Sequence, residues 1–372
     1  MRSCTNPNGV VARGLAALLA VAAFRAFGAE EFARTRNGVV FKGVEIHNAV
    51  SLVPTNGLYR FCRVDTRAFN SLSDHGRMAA LTTTGVEMRF RIRKGEVKLV
   101  MGGLDETLRT SCRIYRGDVV CDWPGTDMAI VGTNTVLSFK KTPIAHLVKR
   151  AEKFGFRYHP EVVRVVFSPC SRVGIRDVIG DVEPPPPEML PKRTYLAYGS
   201  SITHGSISLL IERSYAALVG AALGADVRNV GLAGSARMEN EVADFIAGED
   251  FDCASLEMGV NVLGRMDVEE YERRVRYMVR KVAESHPKAR VLAVDVFRAD
   301  ISGEKHERAQ AFRRTLARVV DELALPNVVY VNGLDALPEK DAFSTGSLHP
   351  SPHGHEEIAR SLVEKFRQGA SE

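Results

Sequence analysis

From residue 193 onward the chain repeats one pattern five times: a short apolar run, then a stretch with a helical period. The apolar runs are Thr194 to Tyr198, Asp226 to Val230, Cys253 to Met258, Arg290 to Phe297 and Asn327 to Val331. Amphipathic helices are predicted at about Arg213 to Leu223, Glu239 to Ala247, Asp267 to Glu284, Lys305 to Leu323 and Gly354 to Arg367. Val291 to Phe297 is almost continuously apolar, as a strand covered on both faces must be. Successive strand-helix units close into a parallel sheet through right-handed crossovers, so the fold class expected here is a doubly wound three-layer α/β domain. In such sheets reacting groups collect at the carboxyl ends of the strands.

Upstream the pattern is different. Short alternating or β-branched runs, such as Gly38 to Phe41, Val86 to Ile92 and Val162 to Phe167, are punctuated by turn residues such as Pro54-Thr55-Asn56-Gly57. This predicts an all-β domain, a sandwich or jelly roll, with Ile144 to Gly155 as one short helix or an irregular insertion. Pro184-Pro185-Pro186-Pro187 then breaks the chain, because four prolines neither continue a ladder nor enter a helix interior. The expected layout is a signal segment at 1–29, the β domain at 30–183, a Pro-rich linker at 184–192 and the α/β domain at 193–372.

The length of 372 residues fits two domains. With 50 basic against 45 acidic residues and no long basic run, the sequence does not describe a nucleic-acid binder. At the start, Arg2 and Arg13 precede the apolar run Leu15 to Phe24 and the small residues Ala26, Gly28 and Ala29, which is the layout of an export signal. The run falls short of the roughly 20 residues that span a bilayer, and no later segment reaches that length. Removal of the signal would take Cys4 with it and leave an odd number of cysteines. A hairpin turning on Arg116-Gly117 would set Cys112 opposite Cys121; a turn on Gly117-Asp118 would separate them.

Four strand ends or loops carry groups of chemical interest. After the first strand comes Gly199-Ser200-Ser201-Ile202-Thr203-His204-Gly205, which presents a serine on a tight turn as a nucleophile requires; taken alone, it is as well read as a helix cap. After the second, Gly231-Leu232-Ala233-Gly234 lets a backbone N–H face the site, or is simply a turn. After the third, Gly259-Val260-Asn261 offers a side-chain amide or an ordinary turn residue. Before the last helix stands Ser347-Leu348-His349-Pro350-Ser351-Pro352-His353-Gly354-His355. Its histidines are not spaced as a closed zinc site, no cysteine or carboxylate cluster joins them, and His349 is the best candidate base.

Together these segments resemble the SGNH hydrolases, the GDSL esterase and lipase superfamily, and in particular a bacterial secreted subfamily with a β-sandwich domain ahead of the catalytic one. The family blocks correspond to Gly199-Ser200-Ser201, Gly234, Gly259-Val260-Asn261-Val262 and Gly346-Ser347-Leu348-His349-Pro350. The resemblance implies Ser201 as nucleophile, His349 as base, and an oxyanion hole of the Ser201 N–H, the Gly234 N–H and the Asn261 side chain, with no cofactor and no metal. Three positions depart from it. Ser200 and Val262 replace aspartates that move no proton, whereas Gly346 stands where the family carries the acid that orients the base. A Ser-His dyad, a backbone carbonyl near Gly346, or a carboxylate from Asp341, Asp335 or Asp295 is left to hold the imidazole.

The function expected on this resemblance is a secreted or periplasmic serine ester hydrolase, a carbohydrate acetyl esterase acting on a small-molecule or polysaccharide ester. The competing readings are a non-catalytic carbohydrate-binding or scaffolding protein, and an acyltransferase using the same nucleophile. The single Trp123 gives the β domain little basis as a sugar-stacking platform.

Overall fold

The computed structural model describes residues 32–104, 110–121, 128–130, 132, 134–338 and 342–368. The expected signal segment, Trp123 and Asp341 lie outside the described residues.

The N-terminal region is an antiparallel sheet of β1 (Gly38–Phe41), β2 (Val44–His47), β3 (Ser51–Thr55), β4 (Leu58–Cys62), β5 (Glu87–Gly103), β6 (Thr110–Arg116), β7 (Val119–Val120), β8 (Met128–Ile130), β9 (Thr135–Lys140), β10 (Val163–Phe167) and β11 (Val173–Glu183). The long β5 organises it. Its first residues pair with β2 and β10, and beyond the exposed corner Arg93 to Glu96 it pairs with β9 and β11. The sheet thereby folds over a core of residues such as Ile46, Phe61, Met88, Phe90, Leu99, Met101, Val163 and Val173.

Two details differ from the sequence expectation. The β6–β7 register pairs Arg116 with Val119 and Tyr115 with Val120, so the turn is Gly117-Asp118, with Gly117 at φ +60°. The Cys121 N–H therefore bonds the Ile114 carbonyl, and Cys112 pairs with Met128 and Phe167 instead of facing Cys121. The region is also not all β. It contains helices α1 (Thr66–Ser71) and α2 (Asp74–Ala80), capped by Asp65 and Ser73, and α3 (Ala145–Phe154) where a helix or an insertion was expected. α1 and α2 are one to two turns long, too short to show a helical period, and their Phe69, Ala79 and Ala80 pack with Tyr198, Leu232 and Phe245 of the second domain.

That second domain is a parallel sheet of β12 (Arg193–Gly199), β13 (Ala225–Gly231), β14 (Cys253–Glu257), β15 (Arg290–Val294) and β16 (Val328–Val331), in the order β13-β12-β14-β15-β16. The chain order of its helices is α4 (Ser201–His204), α5 (Tyr215–Ala222), α6 (Asn240–Ala247), α7 (Val268–Ser285), α8 (Glu304–Leu323), α9 (Gly333–Ala336) and α10 (Pro352–Arg367). α6, α7 and α8 cover one face through residues such as Val242, Tyr271 and Phe312. α5, α9 and α10 cover the other through Tyr215, Ala336 and Ile358. This is the doubly wound α/β architecture that five strand-helix repeats predict.

The two parts share a polar seam. Arg89 on β5 donates to both oxygens of Asp226 on β13 at 2.8 Å, to Glu87 at 2.9 Å and to the Tyr158 hydroxyl at 3.1 Å. Arg63, just past β4, is fully buried and donates to the carbonyls of Asn229 (2.8 Å), Gly231 (2.9 Å), Ala79 (2.6 Å) and Thr82 (3.3 Å). Burial pushes its pKa down to about 10, so it is still a cation at neutral pH, matched by carbonyl dipoles. Arg63 thus clamps the end of β13, the strand that leads into Gly234, to helix α2.

Candidate active site

At the end of β12 the chain turns through Gly199 and Ser200 into α4. The Ser200 side chain caps that helix by accepting from the Ile202 N–H at 3.1 Å, which leaves Ser201 at its first position with an N–H outside the helical ladder. Gly205, at φ +90°, ends the helix after one turn. Gly199 admits no side chain: a Cβ there would lie 2.2 Å from Thr203 Oγ1 and 2.4 Å from Glu257 Oε2.

Ser201 Oγ lies 2.8 Å from His349 Nε2. His349 sits in the loop before α10, where the bridge between Phe343 and Pro350 and the Ser344 N–H bond to the His349 carbonyl fix the backbone. Gly234 follows β13 at φ +68°, in the left-handed region that favours glycine. Asn261 lies in a single helical turn after β14, and its Oδ1 accepts from the Ala236 N–H at 3.0 Å. That bond commits the amide oxygen to the Gly234 turn. Ser201, Gly234, Asn261 and His349 are therefore gathered at the carboxyl edge of the sheet.

A serine hydroxyl bonded to a neutral imidazole can pass its proton to the ring as the oxygen attacks an electrophile. Partial burial lowers the His349 pKa from the ordinary 6.5. A lowered pKa keeps the ring neutral to more acid pH, so the acid limb of kcat/KM should have its midpoint below 6.5. A pH series on a p-nitrophenyl ester checks this; a midpoint above 6.5 would contradict it.

The acid missing at Gly346 has no replacement among the described residues, where no carboxylate pairs with His349. Asp295 is buried at the end of β15 and accepts from the Tyr330 hydroxyl and the Gly333 N–H, the latter at 2.7 Å. Burial raises its pKa to about 6. Asp335 is exposed on α9. Among the described residues the site pairs Ser201 with His349 alone, and Asp341 lies outside them. The neighbouring His355 is structural: its buried ring accepts from the Tyr215 N–H at Nδ1 and reaches the Ser206 carbonyl with Nε2.

Three residues near the site escaped the sequence reading. Glu257, fully buried at the end of β14, accepts from the Ser200 N–H at 2.6 Å and the Thr203 hydroxyl at 3.1 Å, and so braces the turn that carries Ser201. Burial raises its pKa. The signal was a carboxylate inside the buried strand Cys253-Ala254-Ser255-Leu256-Glu257. His75 on α2 lies against Gly234, where a Cβ would meet its Nε2 at 2.8 Å, and Ser73 Oγ lies 3.0 Å from Ser235 Oγ. Together with Arg63, these contacts mean that the N-terminal region supports the Gly234 turn, which no local sequence pattern could announce.

Solved structures similar in fold cover most of the chain at low identity. They include the salicylyl-acyltransferase SsfX3 from a tetracycline biosynthetic pathway, with TM-score 0.70 and 16% identity over 88% of this chain and 96% of that one. A family two carbohydrate esterase from Cellvibrio japonicus has TM-score 0.59 and 15% identity over 88% of this chain and 95% of that one. The acetyl xylan esterase Est2A from the rumen bacterium Butyrivibrio proteoclasticus has TM-score 0.51 and 13% identity over 77% and 90%. No curated protein matches the sequence. The sequence profile of the GDSL-like lipase/acylhydrolase family matches residues 197–357, which run from β12 into α10 and include every strand-end group described above. The α/β domain of this chain is thus similar to the GDSL-like lipase/acylhydrolase family over residues 197–357.

Proposed function

We propose that the protein is an exported serine esterase that removes acetyl groups from polysaccharides or oligosaccharides. The observation that carries the chemistry is the 2.8 Å contact between Ser201 Oγ and His349 Nε2 beside Gly234 and Asn261. In this reading Ser201 Oγ attacks the ester carbonyl carbon and His349 takes its proton. The N–H groups of Ser201 and Gly234 and the Asn261 amide receive the developing oxyanion. The alcohol leaves with the proton from His349, and water, deprotonated by the same ring, hydrolyses the acetyl-enzyme to acetate. Export is supported by Arg2, Arg13 and the apolar run Leu15 to Phe24. The sugar ester is supported by the carbohydrate esterases among the similar folds, which is an argument from analogy.

A second reading has one specific observation behind it. SsfX3, similar over nearly the whole chain, is described as an acyltransferase, and an acyl-enzyme on Ser201 can yield to a hydroxyl as well as to water. Both readings are tested by following acetate from p-nitrophenyl acetate and acetylated xylan, with and without a sugar acceptor. The esterase reading expects acetate release well above that of Ser201→Ala on both substrates. Release equal to that variant would sink it, and acetyl appearing mainly on the acceptor would favour transfer.

A further inference from the structure

The turn that carries Ser201 is joined to the neighbouring strand by one side chain. The β12–β14 ladder ends at the pair Tyr198 and Leu256. Ser200, just beyond it, is buried, so its N–H needs a partner inside the protein. Glu257 Oε2 supplies that acceptor at 2.6 Å. The same oxygen accepts from the Thr203 hydroxyl at 3.1 Å, and Thr203 Oγ1 lies 2.6 Å from the Tyr215 hydroxyl. Ser201 and Ile202 thus stand between two anchors that share a single carboxyl oxygen.

Glu257 is also the last residue of β14, the strand that leads to Asn261. Between them the Met258 N–H bonds the Val294 carbonyl at 3.0 Å, and Gly259 turns the chain at φ +125°. Asn261 Oδ1 then holds the Ala236 N–H, just past Gly234, at 3.0 Å. On the opposite side the Leu232 N–H bonds the Gly199 carbonyl at 2.8 Å, so β13 is tied to the Ser200 turn through backbone. The segments bearing Ser201, Gly234 and Asn261 therefore close into a ring of tethers, in which Glu257 is the link between Ser201 and Asn261. That link is costly. Glu257 is buried, its Oε1 has no hydrogen-bond partner, and no cation among the described residues pairs with it. An apolar side chain at the end of a buried strand would avoid that penalty but could not hold the Ser200 N–H.

We propose that Glu257 is a positioning residue of the Ser201 reaction: through Ser200 and Thr203 it sets the Ser201 N–H and Oγ at the distance from Asn261 at which an oxyanion is received. The inference rests on the reading of Ser201 as nucleophile and adds that an acid on β14 governs kcat without touching the substrate.

The test is steady-state hydrolysis of p-nitrophenyl acetate by the full chain and by Glu257→Leu, Glu257→Gln, Thr203→Val and Ser201→Ala. Leucine fills the space but accepts no hydrogen bond, and a displacement on the order of 1 Å should lower kcat about a hundredfold with KM within about twofold. Glutamine keeps an acceptor oxygen and should lose no more than about tenfold. Labelling of Glu257→Leu with a fluorophosphonate should reach the stoichiometry of the unaltered chain, only more slowly. A merely structural loss would remove sites without slowing those that remain.

Four results would each overturn the proposal: unchanged kcat in Glu257→Leu, a rise in KM in place of the fall in kcat, lowered labelling stoichiometry at unchanged rate, or Glu257→Gln as slow as Glu257→Leu. The last would make charge, and not the tether, the cause. If the thermal midpoint shows that Glu257→Leu does not fold, Thr203→Val decides. It removes one of the two anchors and should lower kcat about tenfold at unchanged KM, and an unchanged kcat rejects the proposal. Undiminished rates in Ser201→Ala would overturn the nucleophile reading and this inference with it. An inactive Ser201→Ala beside an unimpaired Glu257→Leu would reject the positioning role alone.

Discussion

Ser201→Ala should lower kcat on an activated ester by about 10⁴-fold or more, His349→Ala by a comparable factor, and the double variant by no more than the worse single one. The reason is the 2.8 Å contact between the two side chains. If the hydroxyl attacks as the imidazole takes its proton, each group is useless without the other, and the losses do not add. What survives in all three variants is the part contributed by binding and by the oxyanion donors, which need neither side chain. Asn261→Ala, by contrast, removes one donor and should cost about a hundred- to a thousandfold with the dyad intact. Steady-state rates of the four variants decide the matter. A double variant whose loss approaches the product of the single losses would show that Ser201 and His349 act independently, and the dyad mechanism would have to be abandoned.

Arg89→Ala should destabilise the fold by about 3–5 kcal/mol, the usual cost of removing one partner from a buried ion pair. Arg89 is almost completely buried, and its guanidinium bridges Asp226, Glu87 and Tyr158 across the seam. Burial by itself would raise the pKa of both carboxyls. For Asp226 the charges of Arg89 and His47 outweigh it, and for Glu87 those of Arg164 and Arg89, so both are held well below the usual carboxylate range. Without Arg89 the low-dielectric seam keeps a carboxylate with no bidentate partner. Arg89→Leu combined with Asp226→Leu should therefore cost less than Arg89→Ala alone, since no orphaned charge remains.

The sign of the pH dependence follows from the direction of those shifts. The unfolded carboxyls take up protons near pH 4, whereas the folded ones resist until lower pH. The stabilisation from Asp226 and Glu87 is thus fully present above their unfolded values and is lost as pH falls through the depressed folded ones. Urea unfolding of wild type and variants checks both points. A midpoint within experimental error of the wild type for Arg89→Ala would mean that the network contributes only specificity of docking.

The reach of local sequence varied by element. In the α/β half the apolar runs and helical periods stood within a few residues of the observed elements; the run Arg290 to Phe297, for example, is the strand Arg290–Val294. Such segments are long and buried on a defined face, so hydrophobic period and structure coincide. The Cys112 and Cys121 pairing failed because a shift of one turn residue, from Arg116-Gly117 to Gly117-Asp118, moves the hairpin register by two. α1 and α2 were missed because short helices are held by capping and by tertiary burial more than by their own pattern, and their partners lie in the other half of the chain.

The sequence by itself determined the order of strands and helices, the parallel sheet they imply and the motif residues at the strand ends, because each of these is written in a local period or a local turn. Only the tertiary structure decided what surrounds them. Glu257 braces the Ser200 turn from a neighbouring strand, Arg63 binds carbonyls of β13 from a distance of more than a hundred residues, and His75 rests on Gly234. Whether a carboxylate elsewhere reaches His349 in place of the acid that Gly346 lacks is likewise a question of distance in space, not of sequence spacing. Asp295, an eligible candidate by sequence, is instead spent on Tyr330 and Gly333. Burial and long-range hydrogen bonding depend on which segments meet, and that is a property of the whole fold.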